Sequence, residues 1–247
     1  MQPIYNPSWS VPRETLKLTH TEVHIWCASL NQSSIQINKF LCTLSPEEQA
    51  KTNRFYSIKN KNQFIITHGL LRDILSRYLD LLPEQIRFFY SSCGKPYIAN
   101  ELSRNKFRFN ISHSHEIVIY ALAWRREVGI DIEYIRSNIA YKRIAQYFFS
   151  PEELAKLQSL PLEKQNEAFF YFWTRKEAYL KARGEGIFKR SSSVLVNTDT
   201  ELIPKELSRW SILSLQPEPR YIGALVAEGE NCQLKFWRWA PGFQKTL

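Results

Sequence analysis

The sequence contains no CxxC pair, and its four cysteines, Cys27, Cys42, Cys93 and Cys232, are scattered along the chain. That spacing excludes a zinc knuckle and a disulfide framework and leaves reduced thiols as the simplest reading. Glycine is scarce, with eight residues, and none falls into a Walker-type phosphate loop. The longest uncharged apolar run, Ile117 to Trp124, is far short of a bilayer span. Met1 to Arg13 carries no basic flank followed by an apolar stretch, so no secretory signal is expected. A soluble cytoplasmic protein without membrane attachment is the expectation.

Aromatic residues and positive charge are plentiful. The 247 residues include 15 Phe, 12 Tyr and 7 Trp, and 44% are hydrophobic. This excludes a disordered tail or a fibre and bounds the chain to one or two domains with a sizeable core. Lys plus Arg number 33 against 24 Asp plus Glu, a net charge of +9. Such a surface suits a polyanionic partner: nucleic acid, a membrane face, a phosphorylated small molecule or an acidic protein.

Ser45-Pro46-Glu47-Glu48-Gln49-Ala50-Lys51 recurs as Ser150-Pro151-Glu152-Glu153-Leu154-Ala155-Lys156, an offset of 105 residues. Both copies have the signature of a helix start: Ser as N-cap, Pro in the first helical position, acids in the first turn. The same offset pairs Phe64 with Phe169 and Leu75 with Leu180 in a longer helical pattern. A match that keeps register into the next helix predicts two related halves. Strands are expected over 23–28, 86–90, 107–112 and 117–124, then over 128–133, 210–215, 221–227 and 233–239. Each half is expected to pack helices on a small, mostly antiparallel sheet. The fold class is α+β, a pseudo-dimer divided into residues 1–126 and 127–247, with a ligand cleft between the halves.

On a strand over 128–133, Asp131 and Glu133 share one face while Ile130 and Ile132 share the other. Two options follow: a solvent-facing strand, or two hard oxygen ligands for Mg²⁺. Trp173, Glu177 and Lys181 lie along one face of a helix, where a Glu177–Lys181 ion pair is worth only about 0.2–0.5 kcal/mol. Gly184 follows as a helix stop. Phe109-Asn110-Ile111-Ser112-His113-Ser114 joins a strand end to a polar turn able to hold phosphate oxygens. A Ser-His nucleophile pair is weak here because adjacent strand residues point to opposite faces. Gly94-Lys95-Pro96 reads as a turn with a projecting cation.

In this order and spacing, Gly94-Lys95-Pro96, Phe109 to Ser114, Gly129-Ile130-Asp131-Ile132-Glu133 and Phe172-Trp173-Thr174-Arg175-Lys176-Glu177-Ala178 with Lys181 resemble the 4′-phosphopantetheinyl transferases of the surfactin-synthetase-activating (Sfp) type. The resemblance implies a monomer with an internal pseudo-two-fold. It implies transfer of 4′-phosphopantetheine from coenzyme A to a serine of an apo acyl carrier protein, or of a peptidyl or polyketide carrier domain. Adenosine 3′,5′-bisphosphate would be released. It further implies that Asp131, Glu133 and Glu177 bind Mg²⁺, that Glu177 acts as general base, and that Lys181 pairs with the pyrophosphate and protonates the departing group. Lys95, Ser112 and His113 are similar to the family's nucleotide contacts, with His113 near the 3′-phosphate, and Lys51 is a further candidate cation for that phosphate. Glu48 and Gln63 depart from the pattern, standing where a lysine and an arginine occur in other members; Arg54 and Arg72 are candidates to compensate. The segment from Ile135 to Phe149 is a candidate docking surface for an acidic carrier. The alternatives are a basic nucleic-acid-binding module and another Mg²⁺-dependent phosphoryl-transfer enzyme or hydrolase.

Overall fold

The computed structural model describes residues 3–12, 16–99, 106–184, 196 and 208–242. The strands in chain order are β1 (Ile4–Tyr5), β2 (Glu22–Ser29), β3 (Phe88–Tyr90), β4 (Pro96–Ile98) and β5 (Phe107–Ser114), then β6 (Ile117–Trp124), β7 (Val128–Tyr134), β8 (Trp210–Leu215), β9 (Tyr221–Glu228) and β10 (Gln233–Arg238). The helices are α1 (Ser34–Thr43), α2 (Pro46–Thr52), α3 (Ile58–Ser76), α4 (Tyr141–Phe148), α5 (Pro151–Gln158) and α6 (Leu162–Arg183). Among the described residues no helix is long and apolar enough to cross a membrane.

The α+β expectation holds. Two four-stranded sheets, ordered β10-β2-β6-β5 and β1-β8-β9-β7, form the framework. Shifted by 105 residues, β2 falls on β7, α2 on α5, α3 on α6, β5 on β8 and β6 on β9. The alternation of side chains along each strand explains the layering. Val23, Ile25 and Cys27 share a core with Ile130, Ile132 and Leu225, where the two sheets meet. The opposite-facing Trp26 and Ala28 pack with Phe40, Ile66, Leu70 and Ile74 of α1 and α3. In the second half, α6 covers its sheet by packing Ala178, Tyr179 and Ala182 against Ala224 and Val226. Strands covered on both faces read as near-continuous apolar runs, as β6 does.

The repeated helix starts are built alike. Ser45 and Ser150 each accept the backbone N–H three residues on, and Glu48 and Glu153 each return a carboxylate to the cap N–H at 2.9 Å. These are full capping boxes. Both glutamates are buried and therefore need partners. Glu48 has Arg72 at 2.6 Å and His68 at 2.8 Å; Glu153 has the Lys176 ammonium at 2.5 Å. Burial raises the Glu48 pKa, but hydrogen bonds from His68 and the Ser45 N–H and the Arg72 charge outweigh it, holding it at about 2.

One strand joins the other half from the one expected. β10 runs parallel to β2, from Gln233 opposite Glu22 to Arg238 opposite Cys27, instead of extending the second sheet. Alternation in sequence carries no information about which edge a strand will seal. Here the edge is chosen by Trp237 and Trp239, which pack on the first half's core. In exchange β1 pairs in parallel with β8. β3 and β4 form a small hairpin around Gly94, which sits at φ 80°; β4 was not expected because Pro96 opens it, an edge position where proline is tolerated.

Candidate active site

The site is set by how closely α6 crosses β7. A Cβ at Gly129 would lie 2.0 Å from the Ala178 carbonyl oxygen and 2.4 Å from the Ala182 nitrogen. Only a residue without a side chain permits that approach, which brings Glu177 and Lys181 over the strand. Gly184 ends α6 in the left-handed conformation at φ 70°, as its sequence position suggests.

Asp131 is buried, which removes the solvent-facing reading of its strand. Its Oδ1 accepts from the Lys181 Nζ at 2.6 Å and the Ser112 hydroxyl at 2.8 Å. Its Oδ2 is buried with no hydrogen-bond partner among the described residues. Lys181 thus pairs across elements with Asp131, not along its helix with Glu177 as spacing alone suggests. The Lys181 Nζ also donates to the Ser112 hydroxyl at 3.0 Å and the Ile130 carbonyl at 3.3 Å. Glu133 accepts from the Ser114 hydroxyl at 2.8 Å.

The three carboxyl groups feel one another. Burial pushes Glu177 up to about 7, helped by the charges of Asp131 and Glu133 and opposed by Lys181. Burial and the Asp131 charge also raise Glu133, against the hydrogen bond from Ser114. A cluster of like charges held out of water is unfavourable and marks a place where a cation or a proton is wanted. Among the described residues no group of three or more His, Cys, Asp or Glu side chains is arranged to hold a metal ion. The unpartnered Asp131 oxygen is the point at which a cation fits.

The acids sit at the seam between the sheets. β5 and β7 lie side by side without backbone pairing. Instead Asn110 accepts the Ile130 N–H at 2.9 Å, Ser112 the Ile132 N–H at 3.4 Å and Ser114 the Tyr134 N–H at 3.1 Å. The numbering rises in step on both strands, so they run in the same direction.

Next to the seam is a cavity of about 500 Å³ whose lining includes Lys51, His68, Arg87, Tyr90, Gly94 and Pro96, together with Ile111 of β5. His113, two residues beyond Ile111, is lowered in pKa by its surroundings and by the charges of Lys181 and His68, while Asp131 raises it. The structure brings Ser112, Asp131, Glu133, Glu177 and Lys181 together, leaves His113 exposed on β5 between Ser112 and Ser114, and places Lys51 at the cavity, 4.9 Å above the Phe64 ring. Lys95 is a correction. Gly94 and Pro96 face the cavity, but the Lys95 Nζ is buried against Glu127 at 2.8 Å and the Ala182 carbonyl at 3.0 Å. Arg72 is likewise spent on Glu48, the Pro83 carbonyl and the Ile86 carbonyl and cannot compensate for a missing surface cation. Glu48 is a cap and ion-pair partner, and Gln63 donates to the His115 carbonyl at 3.2 Å. His68 and Arg87 lie in the cavity without having been singled out from sequence; the spacing of Phe64 and His68, one helical turn apart on α3, could have pointed to His68.

A family model described as the 4′-phosphopantetheinyl transferase superfamily matches residues 127–225, and one described as 4′-phosphopantetheinyl transferase, N-terminal, matches residues 28–124. The chain belongs to the 4′-phosphopantetheinyl transferase superfamily. Among the relatives of this transferase is the 4′-phosphopantetheinyl transferase HetI of Nostoc sp., 38% identical over 94% of this chain and 98% of that protein. The transferase gsp of Aneurinibacillus migulanus is 33% identical over 82% of this chain and 80% of its own length. The transferase Sfp of Bacillus subtilis is 31% identical over 76% and 84%. The two family matches meet between Trp124 and Val128, at the turn where Arg125 adopts φ 56°. The segment from Ile135 to Phe149 is only partly exposed: Ile135, Ile139, Ile144 and Phe148 pack on the second half's core, while Tyr147 is 67% exposed.

Proposed function

We propose that this transferase moves the 4′-phosphopantetheine group of coenzyme A to a serine hydroxyl of an apo acyl, peptidyl or polyketide carrier protein in a Mg²⁺-dependent reaction. The observation that carries the reading is the buried, unpartnered Asp131 Oδ2 set among three carboxyl groups beside Lys181. Asp131, Glu133 and Glu177 would hold the ion, because Mg²⁺ takes a few carboxylates and completes its shell with phosphates and water. When bound, it supplies positive charge that offsets the developing charge on the diphosphate.

The chain's own residues do the rest. The attacking serine oxygen forms a bond to the phosphorus that carries pantetheine, and the bond from that phosphorus to the bridging oxygen breaks. The 5′-phosphate of adenosine 3′,5′-bisphosphate leaves with the electron pair. Glu177, directly or through a water, would take the serine proton. Lys181, whose side chain is 27% exposed beside Asp131, would exchange one of its present hydrogen bonds for one to the diphosphate. Lys51 and His113 offer polar contacts toward the nucleotide end, the Gly94–Pro96 turn offers its backbone, and the cavity offers the room. Ser112 contributes by holding Asp131. The working lobes of this reading are residues 1–126 and 127–247, apart from their exchanged terminal strands. The protein acts as a cytoplasmic monomer whose net charge of +9 steers acidic carriers toward it.

Incubation with coenzyme A, Mg²⁺ and an apo carrier protein, followed by intact mass measurement, tests the proposal. The carrier is expected to gain one phosphopantetheinyl group, and Asp131→Ala is expected to slow this by about 10²–10³-fold, the scale of removing one charge-stabilising contact. An unchanged rate in Asp131→Ala removes the metal assignment.

A further inference from the structure

We propose that Ser114 is a positioning residue for Glu133, fixing which of its carboxylate oxygens faces the bound metal. The inference rests on the metal reading given above and concerns how this chain orients its own acid. The Ser114 oxygen accepts the Tyr134 N–H at 3.1 Å and donates to Glu133 Oε2 at 2.8 Å. A hydroxyl has one proton and two lone pairs. With a backbone N–H already directed at the oxygen, the proton is turned toward the carboxylate, and Oε1 is left as the oxygen without a hydrogen bond among the described residues.

Two residues back on the same strand the device repeats. Ser112 accepts the Ile132 N–H and donates to Asp131 Oδ1, leaving Oδ2 buried and unpartnered. Asn110, one step further back, accepts the Ile130 N–H at 2.9 Å but has no acid to orient. The two acids differ in how firmly they are held. Asp131 is gripped by Lys181 as well as Ser112, whereas the longer Glu133 side chain, with more rotamer freedom to lose, has Ser114 as its hydrogen-bond donor. Groups that orient metal ligands change affinity by about 10–100-fold when removed. β5 belongs to one half and β7 to the other, so this ladder also ties ligand geometry to the seam between them.

The test uses the full chain and Mn²⁺ as probe, titrated in the presence of coenzyme A and read by water-proton relaxation, which responds to protein-bound Mn²⁺. Ser114→Ala is expected to weaken Mn²⁺ binding about 10–100-fold, and Ser114→Thr, which keeps the hydroxyl, to restore it. Asn110→Ala breaks the same kind of seam bond without touching a carboxylate; it is expected to lower the melting temperature and leave Mn²⁺ affinity unchanged. Wild-type affinity in Ser114→Ala, with affinity lost in Asp131→Asn, overturns the serine inference alone. Equal weakening in Asn110→Ala and Ser114→Ala overturns it too, by assigning the effect to the seam. If the wild-type protein shows no Mn²⁺ binding, or Asp131→Asn binds normally, the metal reading falls and the inference with it.

Discussion

Where the second half places Asp131, Glu133 and Glu177, the first half carries Trp26, Ala28 and Arg72 at the positions 105 residues earlier. The scaffolds are alike, and the acid cluster lies in one of them. Trp26 is fully buried, donates to the Tyr78 hydroxyl at 2.8 Å and lies under the Arg77 guanidinium at 5.1 Å. Arg72 closes an ion pair with Glu48. The neighbouring strands explain the contrast. β2 is sealed by full backbone pairing with β10, so its helix-facing side can be closed with apolar bulk. β7 has β5 as its parallel neighbour and meets it through Asn110, Ser112 and Ser114. Hydroxyl groups at a seam can serve acids; a backbone ladder has no side-chain donor to spare.

The sharpest way to break the comparison is to remove the buried cap acids. Glu48→Ala strands Arg72, and Glu153→Ala strands Lys176, each among buried surroundings. Leaving one partner of a buried pair costs about 3–5 kcal/mol, so both variants are expected to show a similar loss in denaturant titrations. A large difference between them would show that the halves are energetically unequal beneath their common geometry.

The next effect has the opposite sign. In the metal-free folded protein Glu177 keeps its proton up to a pKa of about 7, against an ordinary value of 4.5. The unfolded chain therefore releases that proton first. Stability linked to Glu177 is intact below pH 4.5 and is lost as pH rises through 7, by about 3 kcal/mol in full. Glu177→Gln is expected to abolish transfer yet to stabilise the metal-free protein at pH 8 relative to wild type, with little gain at pH 4.5. Melting curves at both pH values decide it. The counterpart Arg72→Gln in the first half is expected to destabilise at both, since it removes the charge partner of buried Glu48 and leaves it with His68 and the Ser45 N–H instead of relieving a repulsion.

The smallest effect tests the shared part. Ser45→Ala and Ser150→Ala each remove an N-cap hydroxyl and are expected to cost about 1 kcal/mol apiece, equally and additively because the two caps belong to separate halves. Thermal unfolding of the single and double variants measures it.

Much of this arrangement was legible in the chain. The repeated Ser-Pro-Glu-Glu run announced two related helix starts because capping is local chemistry, settled within four residues. The alternation of Asp131 and Glu133 with Ile130 and Ile132 announced a shared face because a strand imposes a period of two. Less could be read where the outcome depended on distant surroundings. The side chain of Lys95 could have turned to either side of its hairpin and turned to Glu127. Lys181 had Glu177 one helical turn away and chose Asp131, which offers a buried oxygen and needs a counter-charge. Arg72 stood as a candidate to compensate for a missing cation and is instead buried in an ion pair with Glu48.

Local rules, then, determined the elements, their caps and the residue types available for catalysis, since each depends on neighbours a few positions apart. Tertiary structure alone decided that β10 seals the first half, that α6 presses close enough on Gly129 to bring Glu177 over Asp131, and that two serines of one half orient the acids of the other. Those outcomes turn on edges, close approaches and desolvated charges, which come into being only when remote segments meet.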